Sequence, residues 1–197
     1  MAQVRYAGAT AFLSRSGQGW RVLAERPPTG YGTRVVRRIE PGPGQRSVWD
    51  FPRPPALEQW HEHVVVRLGG VVVAETADAW SVLETSHPPT YYLPPDAWLP
   101  GSLRPSTGSS HCEWKGSARY LDVVGGQVVA ERAAWSYPDP VARYAAIRDH
   151  VAVYPEAMDA CSVDGVPVEP QPGGFYGGWV TPRVVGPFKG EPGTLHW

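Results

Sequence analysis

The chain has 197 residues, with 18 Lys+Arg against 19 Asp+Glu and a formal net charge of -1, which fits one domain or one domain with an appendage. Its 22 Gly and 22 Pro leave little room for long uninterrupted helices, so a turn-rich, β-dominated fold is expected. No apolar run approaches the ~18 residues of a membrane span. The N-terminus also lacks the pattern of a secretory signal, and a soluble cytoplasmic protein is the expectation. Two cysteines, Cys112 and Cys161, are too few for a disulfide framework or a four-cysteine zinc site.

Charge is spread unevenly. Residues 1–45 hold seven Arg and two Glu, a balance of +5, which leaves 11 basic against 17 acidic residues, or -6, for the rest. Residues 1–46 read as a basic N-terminal arm and linker, with Pro27–Gln45 the linker proper. The arm shows no nucleic-acid-binding motif, so nucleic acid is not expected as a partner. Further along, Val64–Leu68 and Val71–Ala74 flank Gly69-Gly70 and predict a hairpin. Trp80–Glu84 reads as a strand. His87–Pro105 is Pro-rich, and Ser106–Ser110 reads as a polar loop. Tyr120–Val124 and Gln127–Ala130 around Gly125-Gly126 predict a second hairpin. Cys161–Val163 and Val166–Val168 around Asp164-Gly165 predict a third, with Pro167 marking an edge strand. Asp139 as cap, Pro140 at the first helical position and apolar spacing through Val141, Tyr144 and Ala145 predict one covering helix, running to about His150. From Gln171 onward the chain is irregular and aromatic, as expected of a tail that wraps the domain.

Three blocks resemble a bacterial family, domain of unknown function four-twenty-seven, which also carries a nucleotidyltransferase-like label. They are Glu84-Thr85-Ser86-His87-Pro88-Pro89-Thr90-Tyr91-Tyr92-Leu93-Pro94, then His111-Cys112-Glu113-Trp114-Lys115-Gly116-Ser117-Ala118-Arg119-Tyr120, then Ala133–Pro140. The closing Gly174–Trp179 and Gly186–Gly190 look like the family's longer form. The resemblance implies a β-tent over residues 47–197: two small antiparallel sheets leaning together over an aromatic-lined cleft. The zinc knuckles that hold many such tents together have no counterpart here. The paired carboxylates and Gly-Ser phosphate loop of a nucleotidyltransferase are missing too, so no metal or other cofactor is expected.

Lysine is nearly absent. Of the 18 basic residues 16 are Arg, and the two lysines both precede glycine, as Trp114-Lys115-Gly116 and Phe188-Lys189-Gly190. Retention of lysine in so Arg-rich a chain points to Lys115 as an anchor for an anion or as an acid/base. Cys112, three residues before it, is a candidate nucleophile if the ammonium stabilises its thiolate, and otherwise a small buried hydrophobe. His87 and His111 are candidate general bases. Nine Trp and nine Tyr supply candidate walls for a flat ligand: Tyr91, Tyr92, Trp114, Tyr120, Trp135 and Tyr137. His61 and His63 have the period-two spacing that a metal can use on a strand, and Cys161 could act as resolving partner to Cys112. Three readings follow. The first is a small-molecule-binding domain with an aromatic cleft anchored by Lys115, a homodimer being compatible with it. The second is an enzyme using the same cleft. The third is an interaction module that uses the basic arm.

Overall fold

The computed structural model describes residues 2–6, 9–16, 19–23, 36–194 and 196–197, the first three ranges as strand backbone alone. The chain divides into two compact units, Met1–Val36 and Arg37–Trp197. In the first, β1 (Ala2–Tyr6), β2 (Ala9–Ser16) and β3 (Gly19–Leu23) pair antiparallel in that order, within the stretch expected to be an arm. The expected linker lies outside the described residues as far as Val35.

The second unit carries β4 (Arg46–Ser47), β5 (Ala56–Gln59), β6 (Val64–Leu68), β7 (Val71–Thr76), β8 (Trp80–Leu83), β9 (Thr90–Tyr92), β10 (Leu103–Cys112) and β11 (Gly116–Gly125). These are followed by β12 (Val128–Ser136), β13 (Val151–Val153), β14 (Ala160–Val163), β15 (Val166–Pro167), β16 (Glu169–Pro170), β17 (Trp179–Val180) and β18 (Val184–Val185). Two four-stranded antiparallel sheets dominate, β10-β11-β12-β13 and β15-β14-β6-β7, with a three-stranded sheet β5-β8-β9 beside them. The unit is all-β and mainly antiparallel, as its composition predicts; the short pairing of β18 with β4 is parallel.

The hairpins follow from turn chemistry, with one informative slip. Leu68 faces Val71 across Gly69-Gly70, and Val163 faces Val166 across Asp164-Gly165, as expected. Pro167 sits on the edge strand β15, where its missing N–H costs no ladder bond. In the middle hairpin Gly125 pairs with Val128, so the turn is Gly126-Gln127, one residue later than the Gly-Gly pair suggested. The reason is packing. A Cβ on Gly125 would lie 2.2 Å from the Leu68 carbonyl oxygen, and one on Gly69 would lie 2.0 Å from the Gly125 carbonyl oxygen. Gly125 is therefore required by the meeting of two hairpin ends, one from each large sheet.

Two sequence expectations are corrected. Ser106–Ser110 is part of β10, where an irregularity between Pro105 and Ser109 absorbs the residues that do not pair. A polar composition did not exclude a strand, because most of this strand is solvent-exposed on both faces. The covering helix is a six-residue 3-10 stretch, Ala142–Ile147, kinked at Tyr144 (φ -108, ψ 18). Val141 is still extended, and Arg148 has left helical geometry again. Its two buried residues, Tyr144 and Ile147, are three apart, the repeat of a 3-10 helix. The Tyr144 hydroxyl donates to the Pro55 carbonyl at 2.9 Å and pins the segment there.

The main core lies between the large sheets. Val64, Val66, Leu68 and Val73 from one meet Val123, Ala133, Ala134, Val151 and Val153 from the other. A second cluster fills the far side of β11 and β12, with Val82, Tyr92, Trp135, Tyr137, Tyr144 and Ile147. The tail is tied in by Trp179, fully buried, whose backbone N–H donates to the Pro89 carbonyl and whose indole N–H reaches the Val153 carbonyl. A polar staple adds to this. The buried Glu62 carboxylate accepts from the Tyr91 hydroxyl at 2.5 Å and from the Arg183 guanidinium, which also reaches Asp164 at 2.6 Å. Burial and the Glu62 carboxylate hold the Tyr91 phenol far above its usual pKa, so it remains a donor. Replacing Gly125 by alanine should destabilise the unit by about 1–3 kcal/mol in denaturant unfolding, the usual cost of overpacking a rigid contact. An unchanged midpoint would contradict the close approach of the two hairpin ends.

Candidate functional site

A cavity of about 510 Å³ opens on the side of the second cluster. Three segments shape it: β8 and β9 with the preceding His87-Pro88 turn, the β10–β11 hairpin end, and the tail around Gln171–Gly177 and Lys189. Nine of the ten candidate residues line it: His87, Tyr92, His111, Cys112, Trp114, Lys115, Tyr120, Trp135 and Tyr137.

Tyr91 is the exception, and strand alternation explains it. In β9 successive side chains point to opposite faces. Tyr92 meets the cavity while Tyr91 enters the main core, its ring 5.1 Å from that of Trp179. Tyr92 in turn accepts a hydrogen bond from the Trp135 indole at 3.1 Å. Tyr120 and Trp135 face each other across β11 and β12, and the Arg132 guanidinium lies 4.6 Å over the Tyr120 ring. Burial raises the phenol pKa of both Tyr92 and Tyr137 well above the ordinary value, so these walls are neutral.

Lys115 belongs to the three-residue connection between β10 and β11, and Gly116 (φ 100) completes that turn in the left-handed region. The Lys115 carbonyl accepts from the Val141 N–H at 3.1 Å, which fixes the turn against the segment after β12. The side chain is buried, the residue only 8% exposed, and its ammonium lies 5.7 Å from the Tyr137 ring centroid. Among the described residues it makes no hydrogen bond or ion pair. Of the two carboxylates on the cavity wall, Glu84 is paired with Arg53 at 3.3 Å and Glu113 is exposed.

The second lysine reaches the same cavity. Lys189 donates from Nζ to the Trp197 carbonyl oxygen at 2.6 Å and lies 5.7 Å from the Tyr176 ring. Its backbone is laced to the His87 turn: the Lys189 N–H donates to the Ser86 carbonyl, and the Lys189 carbonyl accepts from Gln171 Nε2 at 2.7 Å. Gly190 permits this, because a Cβ there would lie 1.8 Å from the Pro172 carbonyl oxygen. The scarcity of lysine was the signal for Lys189. Tyr176, in the Gly174–Trp179 block, also lines the cavity, as do Gln171 and Tyr154, for which the sequence offered no motif.

His87 is held at Nδ1 by Gln171 Nε2 at 2.9 Å, with the Tyr176 ring edge-on at 4.6 Å. Burial lowers its pKa from about 6.5 to about 4, helped by the positive charges of Lys189, Arg53 and Lys115. At neutral pH it is therefore an uncharged ring. His111 is exposed at the rim, its Nδ1 3.3 Å from the Ser117 hydroxyl. Cys112 is half-buried within the second cluster. Cys161 lies in the main core, where burial pushes its thiol up to about 12. The two thiols thus belong to different clusters, and both are free. His61 has positive φ and precedes β6, so it does not share a strand face with His63. His63 instead contacts Glu75 at 2.8 Å. No group of three or more His, Cys, Asp or Glu able to hold a metal occurs among the described residues.

Residues 56–164, more than half of the chain, match the model of a family described as Domain of unknown function (DUF427). The chain belongs to this family. The DUF427 match spans β5 to the turn after β14 and so includes the His87 turn, the β10–β11 hairpin and the Trp135–Tyr137 wall. The tail bearing Gln171, Tyr176 and Lys189 lies beyond it. No match was found among curated proteins. Among the described residues no helix is long and apolar enough to cross a membrane.

The state of His87 predicts acid sensitivity. Its folded pKa lies below the unfolded value, so the unfolded chain binds the extra proton between about 6.5 and about 4. Stability contributed by the neutral ring is present above pH 6.5 and lost as the pH falls toward 4. The loss should reach about 3 kcal/mol, since each tenfold difference in proton affinity between the folded and unfolded chain is worth about 1.36 kcal/mol. Unfolding curves of His87→Gln should lack this component; an identical pH profile in the variant would show that His87 titrates normally.

Proposed function

We propose that the Arg37–Trp197 unit binds a small organic anion with a flat, apolar body in this cavity, using Lys115 as the charged anchor. The observation that carries the reading is a lysine side chain lodged in the cavity wall, the residue 8% exposed, whose ammonium has no acceptor among the described residues. An anionic ligand entering the cavity gains a charge-assisted contact with that ammonium. Tyr92, Trp114, Tyr120, Trp135 and Tyr137 offer apolar faces to a planar body. A volume of about 510 Å³ lies in the usual range for small-molecule sites, roughly 300–1,000 Å³. Lys189 adds positive potential on the opposite, tail-derived wall.

Cys112 favours a second reading, catalysis in the same cavity with the thiol as nucleophile. The two readings separate cleanly. A binder keeps its affinity in Cys112→Ser, whereas a thiol-dependent enzyme loses turnover and retains binding.

In a thermal-shift screen of flat carboxylates, phosphate esters, neutral amides and amines, anions should stabilise the wild type. A ligand at a hundredfold excess over its dissociation constant adds about 2.7 kcal/mol. Lys115→Met should lose the response to those anions while remaining folded. Stabilisation by amines instead, or an undiminished response in Lys115→Met, would overturn the reading.

A further inference from the structure

The hydrogen bonds around Gln171 determine where the proton sits on His87. Gln171 Nε2 is 2.7 Å from the Lys189 carbonyl oxygen and 2.9 Å from His87 Nδ1. A backbone carbonyl can only accept, so the Gln171 atom facing it is the amide nitrogen, which carries two donor protons and no acceptor. That same nitrogen faces Nδ1, so Nδ1 must be the acceptor. The neutral ring then carries its proton on Nε2. Nε2 has no partner among the described residues, and the ring lines the cavity that Lys115 also lines.

We propose that His87 is a hydrogen-bond donor of fixed tautomer, set by Gln171, and that its Nε2–H and the Lys115 ammonium together hold the oxyanion head of the ligand, a carboxylate or a phosphate ester. This rests on the reading of Lys115 as an anion anchor and adds a second contact to it. Gln171 is a positioning residue. It is almost fully buried, at 2% exposure, and spans the His87 turn and the Lys189 segment. A site offering a cation and a neutral N–H presents donors only, and it therefore selects an acceptor-only head over an amide or amine. The tautomer matters for this selection. With the proton on Nδ1, the ring would turn a lone pair toward the cavity and repel the same head.

Two measurements test the proposal on the full chain. Proton–nitrogen correlation spectroscopy on histidine-labelled protein at neutral pH, assigned with His87→Gln, should show His87 uncharged with its proton on Nε2. Gln171→Met should convert this to a mixture of tautomers while the thermal unfolding transition persists. A proton on Nδ1, or an imidazolium, in the wild type would overturn the assignment. Titrations with naphthoate, naphthyl phosphate and naphthamide then test the oxyanion contact. At least one anion should bind about tenfold or more tightly than the amide, and the tighter of the two identifies the head group. His87→Phe should weaken that anion about tenfold, within the range for a hydrogen bond to a charged group. His87→Gln, which can donate from a similar position, should retain most of the affinity. If Lys115→Met abolishes binding and His87→Phe binds as the wild type does, the His87 inference fails and the Lys115 reading stands. If neither anion binds the wild type, both fail.

Discussion

An ammonium placed on an aromatic face, in a cavity that supplies it no acceptor among the described residues, organises the whole site. The backbone of Lys115 is fixed, because its carbonyl is tied to Val141 and its turn is closed by Gly116. Contact with the Tyr137 ring contributes of the order of 1 kcal/mol, the usual worth of a cation near an aromatic face. What remains is a charge poised toward the cavity. On the proposed reading a ligand completes this group, and selection for binding tolerates the modest loss of stability it brings. The rest of the cavity is consistent with that role: neutral aromatic walls, a histidine kept uncharged, and the wall carboxylate Glu84 already engaged by Arg53.

The tail gives the cavity its far wall, and close packing of glycine makes this work. Trp179 anchors in the main core, and the Gln171 N–H donates to the Gly178 carbonyl, so the intervening loop closes on itself over the cavity. A Cβ on Gly177 would lie 2.1 Å from the Trp135 ring, and one on Gly178 would lie 2.3 Å from Gln171 Oε1. Only glycine lets the loop lie this flat against the aromatic wall. Phe175, at the loop's tip, is 74% exposed. The Glu62–Arg183–Asp164 staple secures the chain just after Trp179, so rigid attachments hold this loop on its C-terminal side.

Much of the fold was legible because turn chemistry and period-two alternation are local. The hairpins at Gly69-Gly70 and Asp164-Gly165 needed nothing beyond their own residues. Gly125 did not behave as a turn residue because its role is a contact with Leu68, distant in sequence. The helix around Tyr144 failed for a related reason. Its apolar spacing also suits a 3-10 turn, and the Pro55 carbonyl that fixes Tyr144 lies far away in the chain. In the site, the rarity of lysine singled out both Lys115 and Lys189. The aromatic blocks contained the cavity walls, yet composition alone could not say that Tyr91 faces the core while Tyr92 faces the cavity. Gln171 was invisible, since its importance lies wholly in which two groups its amide bridges. The pKa of His87 was likewise out of reach, being set by burial and by lysines from other segments.

The most direct test of the account needs no ligand. Lys115→Met keeps an unbranched apolar stem and removes the ammonium, so denaturant unfolding of wild type and variant measures what that charge contributes to the fold. If its charge is uncompensated, the variant should be at least as stable as the wild type, and more stable by up to about 1–2 kcal/mol, as when a buried charge gives way to an apolar side chain of similar volume. A variant less stable by about 2 kcal/mol or more would mean that the ammonium holds the fold together through partners of its own, and that its place in the cavity is structural.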